Sequence, residues 1–235
     1  MRRVLAANEK PLNWVGSSKR DFLSFPGAVK EDMGNALGIA QFGGTAPSAK
    51  PWKGLGPGVL EVVESHDGNA YRAVYTVRFE KAVYVLHAFQ KKSPSGIRTA
   101  KRDVDLVAER LKTAARDHEE HHDKEKRCTE EPVTRGTGNV FADLGFPDAA
   151  ERQARLRLAY ALNQELEARK ISQADAAKVL GVTQPKVSAL RRYKLEGFSV
   201  ERLMNLLTAL DQDVEIVIRR KPRSRKAGRI SVVAA

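Results

Sequence analysis

Cysteine is nearly missing from this chain, and the single thiol, Cys128, excludes an intramolecular disulfide and fits a reducing compartment. No run of 18 apolar residues occurs, so no segment is expected to span a membrane. The opening Met-Arg-Arg-Val is too short for a signal peptide and the residues after it are too polar, so the chain reads as cytoplasmic. Internal repeats are lacking too. Two strings that mimic catalytic motifs lack the setting those motifs need. Residues 118–122, His-Glu-Glu-His-His, match the zinc-protease pattern, which works only on a buried helix with a third ligand supplied elsewhere; here the string has no apolar neighbours. Gly54-Leu-Gly-Pro-Gly resembles a phosphate loop, but a strand-like run starts at Leu60 where such a loop needs a helix. Neither a metal nor another cofactor is expected.

What the chain has in excess is positive charge. Lys and Arg number 41 against 29 Asp and Glu, a formal net charge of +12. The excess is shared evenly, +6 over residues 1–127 and +6 over residues 128–235. Both halves attract polyanions, which makes nucleic acid the first partner to consider, beside the plainer reading that the charge serves solubility.

With 235 residues the chain has room for one or two domains. The nearly all-charged stretch from Arg116 to Glu131 marks a joint. Before it, runs at Leu60–Glu64, Tyr71–Phe79 and Ala82–Phe89 are β-branched and aromatic, and their short connections predict an antiparallel meander. Residues 17–41 read as helix broken at Pro26-Gly27, and residues 99–116 as a closing helix with Val104, Val107 and Leu111 on one face. The first domain is therefore expected to be α+β, with three or four strands. After the joint the pattern is helical. Asp148 with Glu151, and Ser172 with Asp175, read as capping boxes, and Leu158, Leu162 and Leu166 form a buried stripe. Val214–Ile218 reads as a short strand, followed by a basic tail. The expected division is thus residues 1–116, a charged linker 117–134, an all-α domain 135–220 and the tail 221–235.

The segment Ile171–Arg192 has a helix-turn-helix layout. Ala177 is small where two helices cross, Gly181 supplies a positive φ, and Leu180, Val182, Val187 and Leu190 are apolar toward the domain interior. Thr183 suits a cap, and Pro185 falls in the first turn of the second helix, where proline costs little. Over roughly residues 135–218 the sequence resembles the Cro/repressor (XRE) type, and within it HigA-type antitoxins. The resemblance implies that Gln184, Pro185 and Ala189 face base edges, with Thr183 and Ser188 on the same surface. It puts Gln173 and Lys186 at phosphates and Arg191 and Arg192 near the DNA backbone. Gln184 suits bidentate pairing with adenine, whereas Pro185 and Ala189 offer only apolar contact. Such domains usually read two half-sites as a homodimer, so an oligomer is expected, with Val214–Ile218 as a candidate contact.

In the first domain Arg72 lies within a strand run, and Lys91 and Lys92 end another. Lys50 and Lys53 flank Trp52 ahead of them, with Arg78 and Arg98 nearby. Such cations suit an RNA platform, or equally blunt strand edges against aggregation. Residues 11–115, with KPWKGLG, YRAVYTVRF and VLHAFQKKS in order, resemble the HigB/Gp49-like branch of the RelE toxin superfamily. That resemblance implies mRNA cleavage on the ribosome without metal, with Arg72 and Lys92 stabilising the phosphate and Lys91 carrying a proton. Lys50, Lys53, Arg78 and Arg98 would contact RNA. Glu61 and Val63 stand where RelE has lysines, and Arg98 where it has an aromatic residue. Together the two resemblances imply a toxin–antitoxin fusion, neutralised by an intrachain or interchain contact and repressing its own transcription. The alternative is a regulator whose first domain only binds.

Overall fold

The computed structural model describes residues 9–91, 100–120 and 132–218, with the isolated positions 220, 228, 230 and 232. The chain divides into two compact units, one running from Glu9 to Phe146 and the other taking in Pro147 onward.

The first unit is built on a six-stranded sheet. Its strands are β1 (Leu12–Val15), β2 (Ala49–Pro51), β3 (Val59–His66), β4 (Asn69–Thr76), β5 (Val83–Lys91) and β6 (Val133–Arg135), in the spatial order β2-β3-β4-β5-β1-β6. The meander β3-β4-β5 is antiparallel as expected, and β1 joins β5 in parallel. The β3–β4 hairpin turns at Asp67-Gly68, both at positive φ (47° and 74°), the geometry that lets a two-residue turn follow the twist of its strands. Helices α1 (Ser18–Leu23) and α2 (Gly27–Gln41) are separated at Pro26, as the sequence suggests. They cover one face of the sheet through a row of rings, Trp14 to Phe22 to Phe25 to Tyr71, with centroids 5.0–5.5 Å apart. Helix α3 (Lys101–Glu120) covers the other face, where Val107 and Ala114 bury against Val74, Tyr84 and Leu86. Each large apolar side chain so buried contributes roughly 1.5–3 kcal/mol.

The charged joint holds a departure from expectation. Val133-Thr-Arg forms β6, which pairs antiparallel with β1 at Asn13↔Arg135 and Val15↔Val133. Arg135 grips Asp117 of α3 through both terminal nitrogens (2.7 and 2.8 Å), and the Tyr84 hydroxyl donates to the same carboxylate at 2.7 Å. Burial and that anionic partner push the Tyr84 phenol up to about 12. Gly136 follows where no side chain fits, since a Cβ would collide with the Leu12 carbonyl and the Asp143 carboxylate. Gln41 Nε2 then donates to the Gly138 carbonyl at 3.1 Å. Asn139 caps α4 (Val140–Asp143) by accepting from the amides of Phe141 and Ala142. Phe141 and Leu144 close against Gly34 of α2. Residues 132–146 therefore belong to the first unit: the second compact unit starts at Pro147, not at 135. Asp117–Glu120 belong to α3 instead of a linker. Residues 121–131, with Cys128, lie outside the described residues.

The second unit centres on α5 (Ala149–Ala168), whose Leu158, Leu162 and Leu166 are buried, as are Leu203, Leu206 and Leu207 of α8 (Val200–Thr208). Ser172 caps α6 (Gln173–Leu180) by accepting from the Asp175 amide at 3.1 Å. Asp148 does not cap α5 with its side chain: its carboxylate is taken by Arg152 at 2.7 Å, which also holds it below the usual carboxylate range. The strand expected at Val214–Ile218 does not form, because no described strand lies beside it to complete a ladder. Ile216, Val217 and Ile218 are instead 72, 55 and 94 % exposed. No described helix is long and apolar enough to cross a membrane.

Candidate functional site

Helices α6 and α7 (Gln184–Arg191) make the first candidate surface. Gly181, at φ +62°, ends α6, and the amide of Val182 returns to the Ala177 carbonyl at 3.0 Å. Only a residue tolerant of the left-handed region makes so short a turn without strain. The underside is apolar: Ala176, Leu180, Val187 and Leu190 are buried. Ala176 is thus the small residue at the crossing, and Ala177 beside it is only half-buried. Asn163 of α5 donates to the Leu190 carbonyl at 3.0 Å and fixes the end of α7.

The outward face carries Thr183, Gln184 and Pro185, all exposed, with Lys186, Ser188 and Ala189 half-exposed behind them. Thr183 opens α7 in extended backbone without a side-chain bond, so its hydroxyl is not spent on the cap. The cations are less uniform. The Lys186 ammonium lies 5.6 Å from the Phe198 ring centre, Arg192 bonds Ser188 Oγ at 2.8 Å, and Arg191 reaches back to the Ile171 carbonyl at 2.9 Å. Gln173 stands at the start of α6.

The second candidate surface is the sheet face toward α3. Strand register places its members: Lys50 lies opposite Glu61, Glu61 opposite Val74, Val63 opposite Arg72, Arg72 opposite Phe89, and Ala70 opposite Lys91. Because side chains alternate, Lys50, Glu61, Arg72, Phe89 and Lys91 share one face. His87, opposite Val74 and two residues before Phe89, lies on the same side, where its ring stacks on Phe89 at 4.8 Å. Arg72 is partly exposed and already engaged: its Nη1 donates to Glu61 Oε2 at 2.6 Å, both side chains are 17 % exposed, and its buried Nε has no partner among the described residues.

His87 is 8 % exposed at the side chain, and its pKa is lowered, first by burial. Arg110 lies against its Nδ1 at 3.4 Å and also donates to the Leu86 carbonyl and Ser17 Oγ. With Nδ1 accepting, the ring proton sits on Nε2 and is donated to Asp103 Oδ1 at 3.2 Å. Both ring nitrogens are thus engaged in holding α3 to β5.

Of the other cations, Lys50 and Lys53 are exposed. Arg78 is committed to structure, donating to the carbonyls of Pro57 (2.6 Å) and Leu55 and pinning the loop whose Gly54, Gly56 and Gly58 all have positive φ. Lys92 and Arg98 lie outside the described residues. Of the histidine-rich string, His118 is on α3 with its ring 4.8 Å from that of Phe79. Sequence reasoning passed over the pairing of Glu61 with Arg72 and the whole His87–Asp103–Arg110 group, whose partners are remote in sequence.

Two families match the chain in succession. The phage-derived protein Gp49-like family matches residues 20–112, and a helix-turn-helix domain family matches residues 140–219. A solved structure described as a putative XRE family transcriptional regulator is 75% identical over 38% of this chain and 100% of its own, with a TM-score of 0.36. No curated protein matches. The chain therefore joins a Gp49-like domain of the RelE/HigB toxin type to a helix-turn-helix domain.

Proposed function

We propose that this chain is a toxin–antitoxin module in one polypeptide, its first domain a ribosome-dependent mRNA endoribonuclease and its second an operator-binding repressor that also restrains the first. The observation that carries the reading is the placement of residues 132–146. The helix-turn-helix match begins at Val140, yet α4 and the strand before it are built into the Gp49-like unit. A segment shared in this way is what an antitoxin needs in order to hold a toxin.

In the cleavage step the RNA 2′-OH loses its proton to a base, its oxygen bonds the adjacent phosphorus, and the P–O5′ bond breaks as the leaving oxygen is protonated. A 2′,3′-cyclic phosphate and a 5′-OH result. Arg72, with Lys92, would neutralise the phosphorane, Lys91 would carry a proton, and Lys50 and Lys53 would hold flanking phosphates. Gln184 would read bases, while Gln173, Lys186, Arg191 and Arg192 position the duplex.

One observation favours the second reading, a regulator whose first domain binds without cleaving: Glu61 already occupies Arg72. The readings separate when residues 1–120, which keep all of α3, and 1–146 are expressed and growth and mRNA integrity are followed. The module predicts that 1–120 degrades mRNA and that 1–146, which restores β6 and α4, does so far less. Intact mRNA with folded 1–120 removes the nuclease.

A further inference from the structure

We propose that Glu61 is a built-in competitor for the anion site of Arg72, so that a phosphate reaches the guanidinium only by displacing a tethered carboxylate. The inference rests on the Arg72 site of the proposed function but not on cleavage. Three observations carry it. Glu61 sits diagonally from Arg72 on the same sheet face, two residues along β3 from its direct partner Val63. The 2.6 Å contact uses only one guanidinium nitrogen, and the buried Nε has no partner among the described residues, so the fork is half filled. A guanidinium binds phosphate best through two parallel N–H groups, and a monodentate carboxylate leaves that capacity standing. Both side chains are 17 % exposed, so added salt screens the pair weakly.

The consequence is selectivity by valency. Glu61 is held beside Arg72 by two hydrogen-bonded strands, and a tethered competitor acts at an effective concentration that a single free phosphate does not match. A polyphosphate backbone gains further contacts on the same face, where Lys50 stands directly opposite Glu61. Such a ligand can displace the carboxylate and move it toward Lys50. The site therefore favours single-stranded RNA over monophosphates, and Glu61 sets the threshold.

The test uses the full-length protein, 15N-labelled, with the Arg72 Nε–Hε resonance assigned by its loss in Arg72→Lys. Inorganic phosphate is titrated into wild type, Glu61→Asp, Glu61→Gln and Glu61→Ala. Glu61→Gln and Glu61→Ala should bind phosphate at Arg72 at least about tenfold more tightly than wild type. Glu61→Asp, with its charge kept but its reach shortened, should fall between. Two neutral variants are included so that one folded protein suffices. Equal phosphate affinity in wild type and a folded neutral variant overturns the proposal, as does tightening at other arginines with Arg72 unmoved. If Arg72 binds phosphate in Glu61→Gln while the folded, isolated first domain leaves cellular mRNA intact, the competitor stands and the nuclease reading falls.

Discussion

His87 shows how a single side chain ties the stability of the first domain to pH. Its pKa is lowered from 6.5, chiefly by burial, with Arg110 adding to the effect and Asp103 opposing it. The unfolded chain therefore binds the proton more readily than the folded one, and stability rises with pH through this window. The contribution is complete above pH 6.5 and is lost as pH falls from there toward the depressed folded value. Urea midpoints of the full chain between about pH 8 and 5.5 should drop on acidification, and His87→Gln should flatten that drop. An equal slope in the variant sinks the assignment. At this scale the sequence was readable where partners are local, as with Ser172 and Asp175. Glu61 against Arg72 needed the register, and that register was within reach: an Asp-Gly turn at 67–68 fixes His66 opposite Asn69 and puts Glu61 diagonal to Arg72. Nothing local linked Arg110 to His87 or Ser17.

Elements were legible in proportion to their length and periodicity. The meander, the helix break at Pro26 and the α6–turn–α7 unit arise from patterns of 2.0 and 3.6 residues and from one glycine. β1 and β6 did not announce themselves, because strands of four and three residues carry too little alternation, and β6 forms only because β1 offers it an edge. Gly136 tests that edge. Gly136→Val should destabilise the docking of β6 by about 1–3 kcal/mol or more through overpacking. Hydrogen exchange at the β1 amides would then speed up while operator affinity stays unchanged, and unchanged exchange would show that β6 is dispensable. On α7, Gln184→Ala should relax base preference at about 1–3 kcal/mol per half-site. Lys186→Ala should weaken all sequences alike and reduce the salt slope by about one, once the ammonium leaves Phe198 for a phosphate. Binding isotherms at several salt concentrations separate the two. Gly181→Ala, with open space around its Cβ but a φ of +62°, should cost about 1–2 kcal/mol in a thermal melt.

The two-domain plan of the whole molecule was visible in the charged joint, but the boundary was displaced because composition marks where charge changes and not where contacts change. The apolar run Val214–Ile218 raises the other question at this scale. Apolar, exposed and outside any described strand, it suits pairing with the same segment of a second copy. Ile216→Asp with Ile218→Asp should then shift sedimentation toward monomer and weaken binding to a two-half-site operator by more than about tenfold, while binding to one half-site is retained. A variant that keeps the wild-type mass places the dimer contact elsewhere.

The pairing of β1 with β6 also has a consequence in time. A chain is made from its amino end, so β1 waits on the ribosome while nearly everything else in its domain is synthesised, and its last neighbour arrives only when residues 133–135 emerge. Until then the nascent domain exposes an open sheet edge. A message terminated between the codons for residues 120 and 133 releases the first domain without its strap. Under the proposed function, truncation would switch the protein on, and nonsense variants in that interval should be more harmful to the cell than deletion of the whole gene.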